Sequence, residues 1–184
     1  MDFLKKPFVA VVLSALIVIS STLVSTNVKL GKKCAKLTDS FYESAVLRRS
    51  GGSPIANEIK DICAAAEGLS RIAHSNGLGT EKAELAATEM TACLSKSNVQ
   101  FIYQAYVHLL KTTDALISEL SALSLSERDA EAMDGYIAEL ESSAEAIAAS
   151  DYNDNVRKFY REQLRFPAKQ LAGLAGVEIP QLFE

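Results

Sequence analysis

Apolar residues in this chain recur every three to four positions, the spacing of one face of an α-helix. Leu30, Cys34, Leu37 and Phe41 form the first such stripe. No proline falls between Pro7 and Pro54, so the spacing predicts one helix from the N-terminal apolar segment to Ser50-Gly51-Gly52-Ser53-Pro54. There two glycines weaken a helix, and the proline pushes Ser53 out of helical backbone. Beyond that stop, Ile55, Ile59, Ile62, Ala66, Leu69 and Ala73 alternate steps of four and three, the seam of an antiparallel partner. Asn76-Gly77-Leu78-Gly79 predicts a turn, and Thr80 an N-cap for a helix carrying Ala86, Met90 and Cys93 on one face.

A wider stripe starts at Val99. Its predicted seam is Val99, Tyr103, Tyr106, Leu110, Thr113, Ile117, Leu120 and Leu123, flanked by Ile102, Leu109 and Leu116. After Ser124-Leu125, the pair Ser126 and Asp129 resembles a capping box that restarts a helix. Met133, Ile137, Leu140, Ala144 and Ile147 follow until Asp151 occupies a position where an apolar residue is due. The stripe resumes one place over at Ala148, Tyr152, Val156 and Phe159, a drift expected where a straight helix outruns a seven-residue repeat. One last helix reaching Pro167 is the expectation. The expected fold class is therefore all-α: an elongated antiparallel helical bundle with an N-terminal transmembrane helix.

The membrane assignment rests on Phe8 to Val28, which contains no ionisable side chain. As a helix it is about 31 Å long, against a hydrocarbon core of about 30 Å. Ser20, Ser21, Thr22, Ser25, Thr26 and Asn27 dilute its second half, so a cleaved secretory signal competes with a retained anchor. Only weak Ser/Thr pairs stand where a cleavage site belongs, and the retained anchor is the expectation. Residues 1–29 then form the anchor and 30–184 the helical body. Lys29, Lys32, Lys33 and Lys36 outweigh Lys5 and Lys6, which places the body on the cytoplasmic side with the N-terminus outside.

Composition supports helices over strands: the 184 residues are 48% hydrophobic, with four prolines, nine glycines and no tryptophan. Net charge divides the chain more sharply. Up to Leu37, six lysines face Asp2 alone, a balance of +5, while the remainder carries thirteen basic residues against twenty-two acids, −9. An acidic body argues against nucleic-acid binding, which needs clustered Lys and Arg.

No motif points to catalysis. Cys34, Cys63 and Cys93 lie too far apart for a zinc site and read as buried thiols. His74 sits where a helix C-terminus favours a cation, and His108 on a polar face. Gly51-Gly52 and Gly77-x-Gly79 lack the lysine of a phosphate loop and read as turns. Glu139, Glu141 and Glu145 read as a solvated ridge. No catalytic, cofactor or metal residues are assigned.

The C-terminal third carries the most distinctive residues. Tyr152-Asn153-Asp154-Asn155-Val156, Phe166-Pro167, Leu171 to Val177 and the terminal Phe183-Glu184 resemble the closing signature of the LemA family. Glu139-Leu140-Glu141, Ile147-Ala148 and Arg48-Arg49 with Pro54 are similar to its other elements. The second Tyr-Asn pair of that family is Phe159-Tyr160 here. The resemblance implies a bacterial, single-pass inner-membrane protein with a helical body. Tyr152, Asn153, Phe166, Pro167 and Phe183 are its candidate interaction residues, each with a competing structural role. Phe183 either folds back on the bundle or faces a partner. The expected function is non-enzymatic: a scaffold or protein-interaction module held to the bilayer through residues 8–28, with a protein partner or a homo-oligomer. The alternatives are an enzyme or accessory hydrolase with a site assembled across helices, and a secreted helical body.

Overall fold

The computed structural model describes residues 7–43, 53–95, 98–166 and 168–184, with the side chains at 7–10, 12, 15, 16, 19, 23, 26 and 27 left aside. Among these the chain is all-α, with seven helices: α1 Pro7–Tyr42, α2 Ile55–Ser75, α3 Glu81–Leu94, α4 Val99–Ser121, α5 Glu127–Ala148, α6 Tyr152–Gln163 and α7 Ala168–Leu174. They assemble into two compact units. One comprises Met1–Thr38 with Asp154–Pro180, the other Asp39–Asn153 with Gln181–Glu184.

In the larger unit α2 is the hub, touching α3, α4 and α5. Its buried face is wide and rich in small residues: Ala56, Ala65, Ala66, Gly68, Ser70 and Ala73 accompany Ile59, Ile62 and Leu69. Small side chains let neighbouring helices approach closely on several sides. At Gly68 the approach is close: an added Cβ would lie 2.3 Å from the ring of Tyr136 on α5. Asn76 Nδ2 at the end of α2 donates to Asp129 Oδ2 at the start of α5, 3.4 Å away, so the two helices run antiparallel. The α2 helix closes with a left-handed Gly77, φ +79°, while Leu78 N–H bonds back to Ala73 O. That geometry is open to glycine at little steric cost.

Helix starts follow local chemistry. Asn98 Oδ1 accepts from the N–H groups of Gln100 and Phe101 and caps α4. Ser126 Oγ accepts from Asp129 N–H at 3.1 Å, as the capping pattern predicts. Thr80 stands at the expected N-cap of α3, but its hydroxyl donates to Glu84 Oε1 at 2.6 Å instead of accepting from the backbone.

Three expectations need correction. First, α1 ends at Tyr42, short of the predicted stop, whose residues Ser50 to Gly52 lie outside the described residues. Second, the predicted single last helix is divided at Ala149 to Asp151. Ser150 Oγ takes the N–H of Tyr152 at 3.3 Å, so a short polar side chain competes with the helix ladder. The one-place shift of the stripe is made by this break and not by supercoiling. Third, the buried line of α4 is Val99, Ile102, Tyr106, Leu109, Thr113, Leu116 and Leu120, with the supposed flank at its centre. Among the described residues no helix is long and apolar enough to cross a membrane; Phe8, Val9, Val12, Leu16, Ile19 and Leu23 are outside the described side chains.

Candidate functional site

Three of the residues singled out in the sequence, Tyr152, Asn153 and Phe183, come together in the larger unit. Phe41, Tyr103, Tyr106 and Tyr152 come from α1, α4 and α6, and the C-terminal Phe183 packs against them. Ring centroids of Phe183 lie 5.5 Å from Phe41, 5.2 Å from Tyr103 and 5.4 Å from Tyr106. Phe41 also meets Tyr152 edge-on at 5.4 Å. Each such ring pair contributes about 0.5–1.5 kcal/mol beyond area burial.

Hydrogen bonds fix the register of this tail. Tyr152 Oη donates to Gln181 O at 2.8 Å. Asn153 Oδ1 accepts from Phe183 N–H at 2.8 Å, while its Nδ2 donates to Phe183 O at 2.9 Å. An asparagine supplies both a donor and an acceptor, which is why this residue type can satisfy a whole peptide unit. Gln100 N–H, at the start of α4, donates to Gln181 Oε1 at 3.3 Å. Burial, then the charge of Tyr103, raises the Tyr106 phenol above its ordinary value.

In the smaller unit, Leu30 and Cys34 of α1 pack with Phe159, Leu164 and Ala172, and Leu37, Tyr160, Val177 and Ile179 surround them. Tyr160 Oη donates to Pro180 O. Burial raises both the Tyr160 phenol and the Cys34 thiol. Beside this core an open groove of about 900 Å³ is lined by Ser21, Thr22, Ser25, Lys29, Lys32 and Lys33 on one wall and by Gln163 and Ala168 on the other. Lys33 Nζ donates to Gln163 Oε1 at 2.9 Å.

A second groove, of about 520 Å³ between α3 and α4, gathers Glu89, Cys93, Phe101 and His108. His108 Nδ1 stands 3.7 Å from Glu89 Oε2, too long for a hydrogen bond, and both side chains are about half exposed. Glu89 and His108 project from mid-helix, whereas Cys93 stands in the last turn of α3 and Phe101 in the first turn of α4, its N–H taken by Asn98 Oδ1. Among the described residues no cluster of three or more His, Cys, Asp or Glu could hold a metal ion. Nor does any buried side-chain nitrogen or oxygen there lack a partner.

The five candidate interaction residues thus separate. Tyr152 and Phe183 are buried and Asn153 is half-buried, all three engaged with the chain itself. Phe166 is 84% exposed, and Pro167 lies outside the described residues. Gly68 with Tyr136, the cap Asn98 and the wall residue Gln163 went unnoticed in the sequence. A lone glycine inside the α2 pattern and an asparagine before a long apolar run were the available signals. The chain matches no family model, no curated protein and no solved structure.

Proposed function

We propose that this chain is a LemA-like, single-pass bacterial membrane protein whose helical body serves, without catalysis, as a scaffold or protein-interaction module at the membrane. The observation that carries this reading is the face of α1: Val11, Ile17, Val18 and Val24 are 62–68% exposed within a stretch free of ionisable residues. Water disfavours such surface by about 25 cal/mol per Å², whereas lipid accepts it. Two hydroxyls of this stretch are satisfied internally, Ser21 Oγ and Thr22 Oγ1 both donating to Val18 O, as a hydrocarbon environment requires. Support for the family reading is that Tyr152, Asn153 and Phe183, three residues of the resemblance, act together in one tail lock.

Alkaline carbonate extraction of native membranes tests the anchor: the chain stays in the pellet. Protease added outside intact cells leaves the body uncut if it is cytoplasmic. Crosslinking in the same membranes recovers a partner or a homo-oligomer. Release by carbonate overturns the anchor, and a strictly solitary chain overturns the scaffold.

A further inference from the structure

We propose that the groove between α1 and the α6–α7 corner is a binding site for the phosphate headgroup of an anionic phospholipid, an inference that rests on α1 being a membrane anchor. Depth comes first. With the uncharged stretch ending at Val28, Lys29 to Lys33 rise about 2–8 Å beyond it, at about 1.5 Å per residue. The headgroup layer on each side of the hydrocarbon core is about 5–8 Å thick. The three lysines therefore stand at phosphate level.

Charge comes second. The described lining holds three ammonium groups and no carboxylate; exposed Glu162, next to Gln163, does not line it. Lys33 is held by an amide oxygen, Gln163 Oε1, which orients the ammonium without neutralising it. An ammonium carries three N–H groups, so this one bond leaves it able to donate to phosphate oxygens as well.

Shape comes third. Gln163 and Ala168 turn a convex helix surface into a groove with a second wall. Phe166, in the turn between those two residues, is 84% exposed, and an apolar ring so placed can bury at the boundary between headgroups and acyl chains. Leu30, Ala168 and the lysine stems give the lining an apolar part that suits a lipid better than a free anion.

The test uses the full chain in phosphatidylcholine vesicles containing spin-labelled phosphatidylglycerol or spin-labelled phosphatidylcholine. Phosphatidylglycerol is expected to associate severalfold more strongly. The triple variant Lys29→Gln, Lys32→Gln, Lys33→Gln lowers that severalfold preference to parity, with carbonate resistance and helical circular dichroism unchanged. Equal association of the two lipids, or a preference untouched by the triple variant, overturns the headgroup site while leaving the anchor intact. Release of the unaltered chain by carbonate overturns both. Inorganic phosphate at matched ionic strength leaves the preference in place; if phosphate abolishes it, the groove takes a soluble anion and the lipid assignment falls.

Discussion

Asn153 and Phe183 pair as two peptide groups would, with the asparagine carboxamide exchanging one hydrogen bond in each direction with the backbone of a residue thirty positions later. The pairing turns an irregular C-terminal tail into part of a core.

Replacing one half of that exchange leaves a polar group without its partner. Asn153→Asp keeps an acceptor for Phe183 N–H but sets a carboxylate oxygen against Phe183 O. The expected loss is about 1–3 kcal/mol, with faster carboxypeptidase digestion of the last residues. Urea unfolding of the variant measures it, and an unchanged midpoint removes the lock from the stability of the fold.

Phe183→Ala removes the ring that joins Phe41, Tyr103 and Tyr106. Phe183 is buried, so truncation is expected to cost about 3–5 kcal/mol. Phe166→Ala, at an exposed ring, stays within about 0.5 kcal/mol in detergent solution. Thermal unfolding of the two variants side by side gives the contrast.

Gly68 carries a sign test. Alanine is ordinarily the better helix former by about 1 kcal/mol, yet here its methyl meets the Tyr136 ring, so Gly68→Ala is expected to destabilise by about 1–3 kcal/mol. In a Tyr136→Ala background the same change becomes neutral or stabilising. A double-mutant cycle reads the difference, and additive effects would contradict the contact.

The buried thiol of Cys63 gives a pH dependence. Burial raises it to about 11 from 9.0, against a smaller opposing hydrogen bond with Thr91. Below pH 9 folded and unfolded chains both hold the proton, and stability is at its full value. Between pH 9 and 11 only the folded state keeps it, so stability falls, by about 2–3 kcal/mol across the window. The Tyr42, Tyr106 and Tyr160 phenols, also raised by burial, push the same way at higher pH. Unfolding followed from pH 8 to 11 shows the decline, and Cys63→Ala flattens its first part. Iodoacetamide at pH 8 is expected to label half-buried Cys93 before Cys34 or Cys63.

Legibility in the sequence followed the range of the forces involved. The seam of α2 was readable because Ile59, Ile62, Ala66, Leu69 and Ala73 face inward whatever covers them. The turn at Gly77 and the cap at Ser126 were readable because each is settled within a few residues. Thr80 misled because a nearby carboxylate, Glu84, competes for its hydroxyl. The break at Asp151 looked like a drift of the stripe, since periodicity alone does not separate a helix that drifts from one that stops and restarts. Among the candidate site residues, Phe166 is exposed, whereas Tyr152, Asn153 and Phe183 turn inward.

By itself the sequence determined that the chain is mainly helical, which face of α2 is apolar and where the charge changes sign, because those properties depend on neighbours three or four residues apart. Only the tertiary structure decided that Asn153 closes on Phe183, that Tyr136 rests on Gly68 and that Gln163 walls the lysines of α1 into a groove. Such contacts join residues 30 to 130 positions apart, and their partners are selected by the packing of helices in three dimensions, which no local pattern encodes.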